Sequence, residues 1–214
     1  MNERLPANRY WCFGLLATTA LLWDLLSKWW AFQELGFPFR QSDWKWESNF
    51  LWGHFSIDLT TSFNQGALWG IGQGFSSVFA GLSLIAATFV IYWLFVRGEA
   101  RSWWLTVCLA LIMAGTLGNL YDRLHLHACE FADGTPAYGV RDFLHMTIPG
   151  FRFSFSPFSF ELVRSYEWPI FNFADSYLVT GAIMLTLHSF KAPQPVAKKQ
   201  EEEAKVSRPT AVHA

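Results

Sequence analysis

Long uncharged blocks alternate with polar stretches along this chain. Residues 10–23, 75–96, 103–121 and 176–190 contain no Asp, Glu, Lys or Arg. A bilayer crossing needs roughly 20 mostly apolar residues. The second and third blocks meet that requirement alone. The first meets it by continuing through Asp24 and Lys28 to about Phe32, and the fourth by starting near Ile170, which places Asp175 at its head. The pattern therefore predicts four membrane-spanning helices, two of them carrying ionisable groups near one end. Between the helices the period changes. Over 54–64, Phe55, Ile57, Leu59 and Phe63 alternate with Ser56, Asp58, Thr60, Ser62 and Asn64, the period-two signature of a strand. Trp44, Trp46, Phe50 and Trp52 precede it and suit a sheet lying at headgroup level, where amphipathic aromatics collect. Gly66, Gly70, Gly72 and Gly74 then break the pattern and return the chain to the second helix. Phe151, Phe153 and Phe155 alternate with Arg152, Ser154 and Ser156, which predicts a short strand or hairpin bounded by Pro149-Gly150 and Pro157. The expected architecture is a single α-helical membrane domain over 1–190, with a small β-sheet at one face and an additional segment between helices three and four. The Pro-, Glu- and Lys-rich tail, 191–214, is expected to be disordered.

Charge orients this arrangement. Arg4, Arg9, Arg97, Arg101, Lys191, Lys198, Lys199, Lys205 and Arg208 fall at the termini and in the short 97–102 connection. The other connections, though far longer, hold only Arg40, Lys45, Arg123, Arg141, Arg152 and Arg164. Cations accumulate on the cytoplasmic side, so both termini are expected there, with the sheet, Asp24, Lys28, Asp142 and Asp175 on the outer side. Of 214 residues, 52% are hydrophobic and 15% charged, against about 25% charged in a typical soluble domain. The net charge of −1 gives no global field to draw nucleic acid. Arg4 and Arg9 ahead of an apolar run imitate a signal peptide, but cleavage at Ala17–Ala20 would fall inside that run and three more spans follow, so the first helix is read as retained. Cys12 and Cys108 lie in spans and Cys129 in an outer loop, a distribution that suits small apolar fillers better than a disulfide framework.

The polar residues inside or bordering the spans carry the chemistry. Asp24 and Lys28 are four apart and share a helix face, so they are expected to pair. Such a pair serves equally as a structural ion pair, with Lys28 snorkelling outward, or as support for a site. Asn119, Asp122 and Arg123 share one face at the outer end of helix three, next to Gly115 and Gly118, small residues that permit close helix packing. Asn172 and Asp175 repeat an Asn/Asp arrangement at the head of helix four, where an acid also suits the helix macrodipole. Asp142 and Asn64 lie in polar stretches, and turn or salt-bridge roles would explain either alone. Ionisable groups at a membrane edge are costly and usually functional. Two readings stand: an aspartic hydrolase built on Asp142 and Asp175, or a proton-coupled carrier relaying through Asp24, Asp122 and Asp175. A carrier would distribute its acids through the membrane depth and show repeats or broken helices, whereas here the acids lie toward one face. His125, His127, His145 and Cys129 complete no recognisable zinc motif, so no metal and no cofactor are expected.

Five ordered blocks resemble signal peptidase II, the lipoprotein signal peptidase of bacteria. Asp24-Leu25-Leu26-Ser27-Lys28 looks like its first-helix Asp/Lys motif, and Asn64-Gln65-Gly66-Ala67 like its Asn-x-Gly-Ala motif. Gly118-Asn119-Leu120-Tyr121-Asp122-Arg123 matches Gly-Asn-x-x-Asp-Arg. Val140-Arg141-Asp142-Phe143 and Phe171-Asn172-Phe173-Ala174-Asp175 match the two catalytic-aspartate motifs. The resemblance implies a monomeric aspartic endopeptidase of the bacterial cell membrane (the inner one where there are two), its site at the outer face. It implies that membrane lipids surround the enzyme and that the substrates are prolipoproteins whose signal peptide precedes a diacylglyceryl-cysteine. It implies Asp142 and Asp175 as the catalytic pair, Asn64, Gly66, Asn119, Arg123 and Asn172 as substrate-positioning residues, and Asp24, Lys28 and Asp122 as supports. The chain departs from the pattern at Leu25, where Gln is usual, at Leu68-Trp69, where a smaller Ala-Phe pair is usual, and at Arg141, where an apolar residue is usual. The interval from Arg123 to Asp142 is also long and contains another acid, Asp133. If 140–143 is extended, Arg141 and Asp142 point to opposite faces, so the cation need not quench the acid.

Overall fold

The computed structural model describes residues 5–37, 40–50, 53–66, 72–155, 158–163 and 165–191. Four helices form the body: α1 (Ala7–Leu35), α2 (Ser76–Ile91), α3 (Trp103–Arg123) and α4 (Phe173–Lys191). α1 stops at Gly36, whose φ of 71° an L side chain rarely adopts and whose N–H reaches Phe32 O at 3.2 Å. α2 runs into a wider turn, Tyr92–Val96, in which Arg97 N–H returns to Tyr92 O at 3.0 Å. Gly98, at φ 82°, and a single 3₁₀ turn reverse the chain, and the Ser102 hydroxyl caps α3 by accepting Leu105 N–H. α1, α2 with its terminal turn, and α3 are each long and apolar enough to cross a bilayer. α4 begins at Phe173 rather than near Ile170, because Ile170 belongs to the preceding strand. The tail 192–214 and the departure at Leu68-Trp69 lie outside the described residues.

Small residues determine how closely the helices approach. A methyl group on Gly115 would overlap the Ala174 carbonyl oxygen and come within 2.7 Å of Leu178 Cγ. One on Gly118 would overlap the Asp24 carboxylate, and one on Gly181 would lie 2.5 Å from Ile112 Cγ1. α3 is the central helix: Leu105 and Ala114 are buried, and Cys108, Leu109, Ala110 and Met113 meet Phe13 and Ala17 of α1 and Val90 of α2 in one apolar cluster. The outward faces remain apolar, with Trp11, Leu15, Leu22, Ile85, Phe89, Ile183 and Leu187 all exposed. So much exposed apolar surface suits a lipid surround and not water.

The strands form a cap at one end of the bundle. β1 (Gln41–Phe50), β2 (Gly53–Asn64), β3 (Val140–Ile148) and β6 (Tyr166–Phe171) make an antiparallel sheet in the order β1-β2-β3-β6, while β4 (Phe151–Phe155) and β5 (Phe158–Val163) pair as a separate hairpin. The alternation over 54–64 is thus a strand, but its polar side is the better buried: Ser56 and Asp58 are enclosed, whereas Phe55, Ile57 and Leu59 are only partly so. Asp58 accepts from Gln41 of β1 (3.2 Å) and Thr60 of β2 (2.9 Å) and pairs with His145 of β3 (3.1 Å), which gives the polar side internal partners. A break in register between Leu59 and Ser62 brings Ser62 opposite Asp142. Ala31 and Phe32 at the end of α1 pack on Phe143, joining sheet to bundle. The long segment between α3 and β3 folds back over this junction: Phe131 makes edge contacts with Phe37 and Phe63, and Glu130 bridges to Pro136.

Candidate active site

Four elements converge where the sheet meets the bundle: the C-terminal halves of α1 and α3, the start of β3, and the first turn of α4. Asn172 caps α4. Its side-chain oxygen accepts Asp175 N–H at 3.0 Å, and Asp175 Oδ2 accepts Asn172 N–H at 3.2 Å, a reciprocal capping box. Asp175 is therefore a first-turn cap residue, as the macrodipole favours, but its second oxygen is turned elsewhere. Asp175 Oδ1 accepts the Asn119 amide at 2.8 Å. The Asn172 amide in turn donates to Asp142 Oδ1 at 2.6 Å, so one residue joins the two acids, its side chain bonding the Asp142 carboxyl and its backbone N–H the Asp175 carboxyl.

Beneath this pair lies a fully buried charge chain. Lys28 Nζ sits 2.8 Å from Asp24 and 3.0 Å from Asp122, and donates to Asn119 Oδ1 at 3.1 Å. Lys28 is completely enclosed and does not snorkel. Asp24 Oδ1 accepts Ala174 N–H at 2.8 Å, so an acid from α1 satisfies one of the free donors at the α4 N-terminus. Gly118 leaves the space in which that carboxylate lies. At the other end Asp122 Oδ1 receives Arg141 Nε (2.9 Å) and Nη2 (2.8 Å), and Oδ2 receives Arg141 N–H (3.1 Å). Arg141 and Asp142 do lie on opposite sides of β3: the cation faces Asp122 and the acid faces Asn172.

At the rim, Asn64 Oδ1 accepts Gly66 N–H at 3.0 Å, and the Asn64 side chain also bonds Asp142. Arg123 Nη2 donates to Gly66 O at 3.3 Å, its guanidinium 5.5 Å from the Phe79 ring centroid. Burial, and next the neighbouring Asp175, push the Asp142 carboxyl well above the usual carboxylate range, against the opposing pull of Lys28 and of hydrogen bonds from Asn172 and Asn64. Asp133, the other acid in the long interval, is exposed and spends its side chain on Thr135, at 3.0 Å to the backbone and 2.6 Å to the hydroxyl. His145 pairs with Asp58, and His127 accepts Cys129 N–H.

All ten residues singled out in the sequence enter one bonded set. Arg141 and the backbone N–H of Ala174 complete it, and sequence reasoning assigned neither a part. The sequence marks Arg141 as an unusual cation, but its partner lies 19 residues away on another element. Ala174 could have been found only by asking which group answers the free donors of α4. Beside the set, on the α1 side of the sheet, lies an apolar cavity of about 720 Å³, walled by Trp23, Trp30, Leu59, Phe143 and Phe173.

Fold and site together define a helical membrane protein with two linked carboxylates in a buried polar network beneath a β-cap. A sequence model of the signal peptidase (SPase) II family matches residues 16–191, and the chain belongs to that family. It is 41% identical over 188 residues to a lipoprotein signal peptidase of Rhodopirellula baltica, covering 86% of this chain and 74% of that protein. It is 27% identical over 173 residues to the lipoprotein signal peptidase of Clostridium acetobutylicum, covering 81% and 90%. A solved structure of a bacterial membrane enzyme superposes with a TM-score of 0.60 at 20% identity, over 100% of this chain and 99% of that one, which places the two in the same fold. The carrier alternative finds no support in these relationships.

Proposed function

We propose that this chain, a peptidase by its family, removes signal peptides from prolipoproteins through an aspartic mechanism on Asp142 and Asp175. The observation that carries the reading is the Asn172 bridge, which joins the buried Asp142 carboxyl and the partly buried Asp175 carboxyl in one bonded network. Peptide hydrolysis needs one carboxylate to deprotonate water and one carboxylic acid to protonate the substrate. Two neighbouring acids cannot easily both ionise. Asp142, buried and raised, is the member suited to hold the proton. Asp175 acts only as an acceptor toward Asn119 and Asn172, and we assign it the part of the base. Asp175 takes a proton from water, whose oxygen attacks the scissile carbonyl, while Asp142 gives its proton to the carbonyl oxygen. Collapse of that gem-diol breaks the C–N bond: the proton taken up by Asp175 passes to the departing amine, and a hydroxyl of the gem-diol returns a proton to Asp142 as the new carboxyl group forms. Asn64, Gly66 and Arg123 line the entrance and position the peptide. Asp24, Lys28 and Asp122 keep the floor rigid.

The substrate is a prolipoprotein carrying a diacylglyceryl-cysteine, which enters from the outer leaflet of the bacterial cell membrane. α4 is the fourth span, both termini are cytoplasmic, and residues 1–190 act as one domain. The strands from Trp44 to Phe63 lie over the headgroups and cover the bound peptide. The enzyme acts as a monomer among membrane lipids and has no nucleic-acid partner. The test is cleavage of a diacylglyceryl-modified prolipoprotein by the purified protein with Asp142→Asn or Asp175→Asn. Each substitution is expected to lower kcat by at least about 10²-fold, with wild-type activity unaffected by chelators. Full cleavage by either variant would sink the dyad.

A further inference from the structure

Arg141 stands next to a catalytic acid at a position where the resemblance leads one to expect an apolar side chain. Arg141 is 4% exposed, its guanidinium grips Asp122 through Nε and Nη2, and the backbone N–H of the same residue closes a third bond to that carboxylate. Three contacts on one acid fix both the side chain and the backbone at the residue preceding Asp142. Asp122 in turn belongs to α3 and holds Lys28, which holds Asp24, which holds Ala174 N–H at the head of α4. A continuous alternation of charge thus runs from the base of Asp142 to the base of Asp175. Two cations, Arg141 and Lys28, answer two anions, Asp122 and Asp24.

We propose that Arg141 is a positioning residue, clamping β3 to Asp122 so that Asp142 is held at the reach from Asp175 that hydrolysis requires. This inference rests on the dyad reading. The clamp acts on the reacting atoms only through the placement of Asp142, so its loss falls on kcat. A displacement of about 1 Å in a catalytic group costs on the order of 10²-fold. The clamp also has an electrostatic consequence. The charged groups facing Asp142 are Asp175 from α4, Lys28 from α1 and Arg123 from α3, with Asp24 and Asp122 behind Lys28. Without Arg141, Asp122 is left to a lysine that Asp24 already engages, and one uncompensated negative charge remains near the dyad. The first proton loss from the dyad then requires higher pH.

The experiment is the kcat and KM pH profile of full-length wild type, Arg141→Val and Arg141→Lys on a diacylglyceryl-modified prolipopeptide, with Asp142→Asn alongside. Arg141→Val is expected to lower kcat about 10–100-fold, leave KM within about twofold, and move the acid limb of kcat to higher pH. Arg141→Lys is expected to return the limb toward wild type but only part of kcat, because an ammonium cannot make the two-nitrogen grip of a guanidinium. Wild-type kcat in Arg141→Val overturns the inference. So does a fall in kcat with an unmoved acid limb and no partial recovery in Arg141→Lys, the behaviour of a merely destabilised protein. If Arg141→Val does not fold, Arg141→Lys decides alone: full kcat there overturns the proposal, as does a reduced kcat accompanied by a lowered unfolding temperature, and reduced kcat at unchanged KM and unchanged unfolding temperature supports it. An active Asp142→Asn removes the dyad itself, whereas an inactive Asp142→Asn beside a fully active Arg141→Val removes only the clamp.

Discussion

At the scale of single residues, the site places a carboxyl where ionisation is unfavourable, and this has a consequence for stability. The folded protein holds the Asp142 proton to a higher pH than the unfolded chain does, because burial and Asp175 oppose its loss. Unfolding in the interval between the two values therefore releases a proton, and stability attributable to this group falls as pH rises through that interval. Asp142→Asn keeps an acceptor for Asn172 but removes the ionisation. It is expected to raise the unfolding temperature relative to wild type at pH 8 by about 2–4 °C per kcal/mol, with the difference shrinking toward pH 4. Equal differences at both pH values would contradict the assignment. The same scale marks what was legible in sequence. Asp24/Lys28 and Asn172/Asp175 could be paired because helical spacing alone puts i, i+3 and i+4 side by side. The Asp122–Arg141 grip and the Asp24–Ala174 bond could not, since each joins different elements through distances that only the fold sets.

Between elements, contact depends on what is missing from Gly115, Gly118 and Gly181. Gly118→Ala would press a methyl group onto the Asp24 carboxylate and Ala174 Cβ. α1, α3 and α4 would have to separate at the point where Asp24 caps α4 and holds Lys28. Overpacking of this kind costs about 1–3 kcal/mol, and activity is expected to fall by at least about tenfold as the Asp175 turn shifts. Gly81→Ala is the control, since nothing lies within 4 Å of its added carbon. It is expected to leave activity unchanged and stability equal or up to about 1 kcal/mol higher. Thermal unfolding and cleavage of both variants check this, and equal behaviour would show that the close approach is unimportant. The small-residue contact was readable from Gly115 and Gly118, as were the strands with one-sided alternation. β3 was readable only conditionally. Val140, Phe143 and Leu144 are apolar on both sides of the strand, while Arg141 and Asp142 bury charge on both, so no period marks it. For the same reason the apolar pattern starts helix four too early: β6 and α4 are both apolar, and only the Asn172 cap divides them.

For the molecule as a whole, orientation follows from charge and carries a test independent of activity. Cations cluster at the termini and in the 97–102 connection, while the sheet and the long 124–139 segment cap the opposite end of the bundle. If cations stay cytoplasmic, the Asp142–Asp175 pair opens on the face opposite both termini. Glu99 and Glu130 are both exposed and lie at the two ends, so either can report sidedness without disturbing a packed surface. With Cys12, Cys108 and Cys129 replaced by Ser, Glu130→Cys is expected to react with a membrane-impermeant maleimide on intact spheroplasts. Glu99→Cys should react only after the membrane is opened. The reverse pattern would put the dyad in the cytoplasm, and equal labelling of both would deny a fixed orientation. Choosing glutamates leaves every Lys and Arg in place, so the charge asymmetry that sets the orientation is not altered by the measurement. An outward-facing Glu130 would also place the 124–139 segment, which packs through Phe131 on Phe37 and Phe63, on the side from which substrate approaches.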